Sequence, residues 1–344
     1  VTAAPDGAID RAIDRGLDRI VALQSPTGEM PAHATPLGAG ELAWEPDPLN
    51  FVTALAAEAV APVPDPRAEA VVDRAVAFLR SQRLPGARWR YWSTDNERVE
   101  FTPPDADDTA CCSMAVALRG DDTSANRSVL RSTADPQGRY RTWLIVHPDL
   151  RSWRVRWLLR DERRPEVRAL RAELWASTEA DPDDVDAVVN ANVCRYLGPQ
   201  HASEGAVDWV AGVVRAGWET HDKWYRRPYA LLAAVADGAR RGIEGFAALE
   251  PVILERIGAT VDALEASGRD LDRALALLAL VHLEAIGPVA DRLADALVAS
   301  QGDDGAWARD VVYFGGPTEV FGWGSEALTS AYALGALSRA RALR

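Results

Sequence analysis

Two kinds of helical pattern alternate along this chain, and the alternation leaves few architectures open. In residues 67–82, apolar Val71, Val72, Ala75, Phe78 and Leu79 share one face while Arg67, Asp73, Arg74 and Arg80 take the other, which marks a half-exposed helix. Residues 7–23, 163–176, 203–217, 245–267 and 288–301 repeat that pattern. Residues 48–61, 108–118, 185–197, 228–236, 273–286 and 326–337 are instead rich in Ala, Leu and Val on every side, and a helix apolar all round is buried. Each buried segment follows one amphipathic segment. The order predicts an all-α fold: a single α/α toroid with six inner helices screened by six outer ones.

Strand-like pattern is confined to 139–146 and 152–158, which predicts a hairpin or an irregular insertion at about 120–162. With no composition break elsewhere, 1–344 reads as one barrel domain carrying that insertion. A net charge of -13 with one lysine, Lys223, argues against nucleic acid as a partner, because counterion release needs many basic contacts. Cys111, Cys112 and Cys194 are odd in number and two are adjacent, so a disulfide framework is not expected and a reducing cytoplasm fits. No apolar run reaches the roughly 18 residues of a membrane span; the expectation is a cytoplasmic protein whose membrane contact, if any, is peripheral.

Several amphipathic segments end alike. Gln301, Gly305 and Trp307 form the clearest instance; Gln82, Gly86 and Trp89 repeat it with one residue inserted; Gln24 and Gly28 are followed by Met30, and Gly138 by Tyr140. Glycine permits a tight turn at a helix C-terminus, glutamine can bond loose backbone groups, and the aromatic ring covers the join to the next helix. The spacing of Gly28, Gly86 and Gly138 is that of a helix-pair repeat.

The second buried segment opens with Thr102-Pro103-Pro104-Asp105-Ala106-Asp107-Asp108-Thr109-Ala110. The prolines delay the helix and Asp105 is placed to cap it. Taken alone, three acids here are also what a solvated helix start would carry. Protonating an alkene, however, needs an acid that stays neutral near pH 7 and is strong once its proton leaves. Burial and neighbouring carboxyls supply the first property, and a helix N-terminus supplies the second by stabilising the carboxylate.

The Asp-x-Asp-Asp-Thr-Ala segment, with the Gln/Gly/Trp repeats, resembles the class II, protonation-initiated terpene cyclases, a family that includes squalene-hopene cyclases and drimane-type single-barrel cyclase domains. The repeats are similar to that family's QW motif. The resemblance implies a β-domain-like barrel, with Asp107 as proton donor and Asp105 and Asp108 orienting and tuning it. It also implies cyclisation of a linear isoprenoid through carbocations. Farnesyl or geranylgeranyl diphosphate is the leading substrate expectation, followed by a neutral prenylated aromatic or a linear triterpene. Protonation needs no cofactor; Mg²⁺ would enter only with a diphosphate. Longer family members have a second barrel, so here the cavity would be closed by the 120–162 insertion or by a second copy.

Other residues carry weaker signals. Trp92, Phe101, Trp224, Tyr225, Tyr229, Tyr313, Phe321 and Trp323 are candidates for lining a cation-stabilising cavity, although such rings are more often plain core. Asn190 and Asn192 are polar in a buried segment and need partners, the Asp107 carboxyl among them. Glu326 opens the sixth inner segment, facing the cavity or merely favouring a helix N-terminus. Lys223, Arg226 and Arg227 form the best local anion cluster, unless they are surface ion pairs. Asp181, Asp183, Asp184 and Asp186 repeat the acidic opening at the third inner segment, as helix caps or as cavity-lining or Mg²⁺-binding acids, and Glu41, Glu45 and Asp47 are loop acids that either help hold Mg²⁺ or are simply solvated. No zinc spacing, P-loop or nucleophile elbow is present. Two other readings remain: an α/α-toroid glycosidase, which would want a polar groove, and a non-catalytic isoprenoid-binding module.

Overall fold

The computed structural model describes residues 6–38, 42–315 and 320–344. Among them run α1 (Asp6–Leu23), α2 (Asn50–Val60), α3 (Pro66–Ser81), α4 (Ala106–Ala117), α5 (Ser124–Ser132), α6 (Trp153–Leu158), α7 (Pro165–Ser177) and α8 (Ala187–Leu197). They continue with α9 (Glu204–Ala216), α10 (Pro228–Arg240), α11 (Glu244–Ala247), α12 (Glu250–Ala266), α13 (Asp270–His282), α14 (Pro288–Ser300) and α15 (Glu326–Leu343). Helices α2, α4, α8, α10, α13 and α15 each pack on the next, and α15 returns to α2, so the expected inner ring closes. Their sequences explain their place: every residue of α13 from Asp270 to Val281 is buried. Outer helices α1, α3, α9, α12 and α14 lay their apolar stripes on this ring. Because each inner helix is reached through an outer helix running back along the barrel, the inner N-termini share one end.

The third outer position differs from expectation. It is filled by α5, whose Asn126 Nδ2 donates to Ser113 Oγ on α4 at 2.8 Å and whose Oδ1 accepts from the Tyr196 hydroxyl of α8 at 2.7 Å. Residues 163–176, read as that outer helix, belong mainly to α7, which follows the 120–162 segment. The expected hairpin is absent: 139–146 makes only isolated bridges, and 152–158 forms α6, capped by Ser152. The alternation of Trp153, Val155 and Trp157 resembles a strand, but Trp153 and Trp157 are 79% and 56% exposed, so no second sheet buries that face.

Four short strands, β1 (His33–Pro36), β2 (Glu45–Pro46), β3 (Val311–Phe314) and β4 (Phe321–Gly324), form an antiparallel sheet in the order β2-β1-β4-β3. It covers the N-terminal end of the ring and brings Tyr313 and Trp323 against it.

The glycine turns work as clamps. Gly28 and Gly305 have φ of +95° and +84°, and a Cβ there would lie 2.1 and 2.4 Å from the carbonyl oxygens of Arg74 and Arg15. Gln24 Nε2 donates to Gly28 O and to Val71 O on α3, and Gln301 Nε2 donates to Gly305 O and to Ala12 O on α1. Gln82 departs from this, bonding Thr94 instead. The aromatic position carries a feature the sequence reading missed. Its backbone N–H is taken up by the next inner helix: Met30 by Thr53, Trp89 by Thr109, Tyr140 by Asn190 and Trp307 by Ser330.

Candidate active site

Asp105 caps α4 in extended conformation, its carboxylate accepting from Asp108 N at 2.7 Å, and Ala106 N donates to Thr142 O at 2.8 Å. This fixes Asp107 in the first turn, where it is 5% exposed and turned toward α8. Asp107 Oδ1 accepts from Asn192 Nδ2 at 2.7 Å, and Oδ2 accepts from the Tyr225 hydroxyl at 2.5 Å. Asn192 is oriented by Arg195, whose Nη1 donates to its Oδ1 at 2.7 Å. Tyr225 is oriented by Asp222, which accepts from the backbone of Trp224 and Tyr225, both at 3.0 Å. An amide nitrogen can only donate, so neutral Asp107 carries its proton on Oδ2.

Burial pushes the Asp107 carboxyl up to about 6, against the opposing pull of the Tyr225 and Asn192 donors. Burial likewise raises Asp105 to about 7 and holds Asp108 well above the ordinary carboxylate range, the latter assisted by the Asp105 charge. Asp105 and Asp108 bond each other and therefore titrate together rather than as separate groups. Two donors aimed at Asp107 make it a stronger acid than burial alone would leave it.

Tyr313 is the hub of an aromatic wall beside these acids. It stacks on Trp224 at 5.7 Å and on Tyr91 at 5.0 Å, and meets Tyr225 and Trp323 edge-on at 5.4 and 5.9 Å. Phe51, Tyr91, Trp143 and Tyr313 enclose a small cavity of about 10 Å³ against Asp105, Asp107 and Asp108. A larger cavity, about 100 Å³, runs from Phe51, Asn192 and Tyr225 toward the C-terminal ends of the inner helices between Leu55, Ala230, Ala233, Ala234, Leu275, Leu278 and Tyr332. Sequence reading singled out Tyr225, Trp224, Tyr313 and Trp323 but not Phe51, Tyr91, Trp143 or Tyr332. Tyr91 had a signal, the aromatic run Trp89-Arg90-Tyr91-Trp92 ahead of the acid segment.

Other expected residues lie elsewhere. Asn190 bonds Tyr140 and Asp186 backbone, closing a clamp rather than holding Asp107. Trp92 packs on Phe101 at 6.3 Å and donates to Asp47, one wall behind the cavity. The Tyr229 hydroxyl bonds Thr260 on outer helix α12, and Phe321 is 46% exposed on β4. Glu326 pairs with Arg19 of outer helix α1 at 2.6 Å and so faces outward. The expected anion cluster is largely occupied: Lys223 pairs with Asp184, and Arg227 with Asp310 at 2.5 Å and Asp272 at 3.2 Å, beside half-buried Arg226.

The acid sets considered for Mg²⁺ do not fit a metal. Asp184 accepts from the Trp143 indole and Lys223, Asp186 from Thr142 and the Trp224 indole, and Asp47 from the Trp92 and Trp323 indoles. Asp181 and Asp183 bond local backbone and Arg141; Glu45 is exposed on β2, and Glu41 lies outside the described residues. Among the described residues no group of three or more His, Cys, Asp or Glu side chains converges to hold an ion. All three cysteines are buried and unbridged. Among the described residues, no helix is long and apolar enough to cross a membrane.

No known family model matches the sequence, and no curated protein does. Solved structures do match. The apo type II terpene cyclase MstE from Scytonema is 14% identical with a TM-score of 0.67, over 99% of this chain and 100% of that one. A variant of it in complex with geranylgeranyl dihydroxybenzoate (substrate) is 15% identical with a TM-score of 0.65, over 98% and 99% of the two chains. A protein from Actinoplanes is 19% identical with a TM-score of 0.66, over 96% and 99%. From end to end, the chain has the fold of a type II terpene cyclase.

Proposed function

We propose that this protein is a class II terpene cyclase, in which Asp107 protonates the terminal alkene of a linear isoprenoid and the cation so formed closes rings within the barrel. The observation that carries the reading is the setting of Asp107: enclosed, its carboxyl pushed up to about 6 so that a fraction stays protonated near neutral pH, and held by two donors, Asn192 and Tyr225, that stabilise the carboxylate left behind. Proton transfer from Oδ2 to the less substituted alkene carbon leaves a tertiary cation. The next double bond attacks that cation, and loss of a proton or capture of water ends the sequence.

Tyr313, Trp224 and Tyr225 present aromatic faces and edges where positive charge first develops. Leu55, Leu275 and Leu278 with Ala230, Ala233 and Ala234 offer hydrocarbon walls that neither quench a cation nor hydrogen-bond a sugar, which favours an isoprenoid over a glycoside. No bound metal enters the protonation step. Geranylgeranyl chains, with farnesyl chains as the shorter alternative, are the first substrates to try, since a structural relative binds a geranylgeranyl aromatic. The test is incubation of purified protein with both diphosphates and with a geranylgeranyl dihydroxybenzoate, followed by mass spectrometry for cyclic products. Cyclic products from wild type and none from Asp107→Asn are expected; acyclic recovery from the whole panel would end the reading.

A further inference from the structure

We infer that a basic groove on the outside of the acid end, floored by His147 and Arg171, is a receptor for the phosphate group of an amphiphile such as a bilayer lipid. It is separate from the reaction cavity and independent of the cyclase reading above.

Residues 151–171, which hold α6 and the first half of α7, carry eight arginines and three acids in a chain whose net charge is -13. Elsewhere on the outer surface arginines meet acids: Arg67 pairs with Asp14, Asp18 and Asp65, Arg292 with Asp262 and Glu265, and Arg80 with Asp121. Here the charges do not balance. Arg156, Arg163, Arg168, Arg171 and His147 line a groove of about 510 Å³ whose one carboxylate is Glu162. Glu162 is already engaged, accepting from Arg171 Nε at 2.8 Å and standing 3.7 Å from Arg90. Arg156 bonds only the Leu150 carbonyl, at 2.9 Å, and the Arg163 and Arg168 side chains make no hydrogen bond or ion pair among the described residues.

Exposed arginine alone is what a chain with one lysine would show, but the floor and the rim of this groove go further. On the floor, Arg171 and His147 are 5% and 4% exposed, and His147 Nε2 is buried with no hydrogen-bond partner. Buried polar atoms are normally paired, so that nitrogen calls for an oxygen from outside the chain. The guanidinium forks above it match the oxygens of a phosphate. The walls between them are apolar, from Ile145, Val146, Pro148 and Trp175. At the rim, the helix that supplies Arg156 leaves Trp153 and Trp157 in water, with Arg160 stacked 4.1 Å over the Trp157 ring. Indole beside arginine suits the boundary between lipid head groups and acyl chains, where one end of the ring is apolar and the other wet. The place of the groove is fixed by Arg171, whose Nη1 donates to the carbonyls of Glu100 and Phe101 at 2.5 and 2.9 Å, just ahead of the acid segment. Trp175 meets Trp143 edge-on at 5.7 Å, and Trp143 borders the small cavity at Asp107, so these two rings stand between the groove and the acids.

The test is co-sedimentation of the full chain with vesicles of phosphatidylcholine, alone or with phosphatidic acid added, beside calorimetric titration with glycerol phosphate. Vesicles holding phosphatidic acid should bind at least about tenfold more tightly than phosphatidylcholine alone. Glycerol phosphate binding as well would show that the phosphate suffices; its failure to bind would show that the bilayer is needed. The double variant Arg163→Gln/Arg168→Gln, at two exposed positions, should lose about tenfold or more of the vesicle affinity, whereas Arg292→Gln, at a paired surface arginine, should bind as wild type. Trp153→Ala/Trp157→Ala should weaken vesicle binding and leave any glycerol phosphate binding unchanged. Melting curves confirm folding, and if one double variant fails to fold the other decides. Equal binding to both kinds of vesicle, binding that survives the arginine double variant, glycerol phosphate binding without vesicle binding, or capture of an acidic peptide as tight as that of the vesicles overturns the inference. None of these readouts is a cyclic product, so loss of the receptor leaves the cyclase reading standing.

Discussion

Two inner helices, α4 and α8, begin with almost the same acidic spelling, Asp105-Ala106-Asp107-Asp108 and Asp184-Val185-Asp186, and the structure puts them to opposite uses. At α8, Asp184 takes Lys223 and the Trp143 indole, and Asp186 takes Thr142 and the Trp224 indole. Those acids are brackets that fix the aromatic wall. At α4, Asp107 meets no cation; its partners are a neutral amide and a phenol, and the cavity begins at its side. Asp186 is bonded only by neutral donors as well, so what suits Asp107 to proton donation is the cavity at its side.

The comparison breaks first at Asp107. Asp107→Asn should reduce cyclic product by about 10³-fold or more while the melting temperature holds, since the amide keeps the volume and loses the acidic proton; product quantification and a thermal melt decide it. The second test is pH. The productive form is protonated Asp107, so turnover should be level below about pH 6 and fall by about tenfold per unit above it, read from kcat/KM profiles. Third, Tyr225→Phe removes a donor to the carboxylate, which makes Asp107 the weaker acid. The rate should drop about tenfold and the falling limb should move to higher pH, a shift that mere loosening of the site would not produce.

The smallest catalytic effect belongs to α8. Asp186→Asn should change turnover by no more than a few-fold, because its carboxyl touches the wall and not the acid. Its effect is on stability. Burial and Asp222 push Asp186 to about 8 in the fold against the ordinary value near 4 of an unfolded aspartate, so between those values the folded chain binds the extra proton. Its contribution is therefore present below pH 4 and lost as pH rises toward 8. Denaturant titrations across that range should show a flatter slope in Asp186→Asn than in wild type.

The inner ring was legible because each of its helices is apolar on all sides, and the acid cap because Asp105 lies just after two prolines. The third outer helix was not: the Ser124–Ser132 segment is shorter and more polar than Pro165–Ser177, and only the bonds of Asn126 to Ser113 and Tyr196 reveal where it packs. The sheet escaped because its strands run two to four residues and β4 reads Phe-Gly-Trp-Gly, its aromatics interrupted by glycines. At the site, Asn192 was visible as a polar residue in a buried helix, but its choice of Asp107 over Asn190's backbone clamp depends on one helical step. The basic lining of the larger cavity was invisible for a related reason. Arg195, Asp237 and Arg339 are scattered over three helices and meet only when the ring closes.

Closing the ring with all six inner helices aligned has an electrical consequence. Their peptide dipoles add rather than cancel, giving a potential that is positive around the acid-bearing mouth and declines toward the other end. The carboxylate that proton transfer leaves on Asp107 lies in the first turn of one of these helices, where that potential is strongest, so the backbone itself favours the conjugate base.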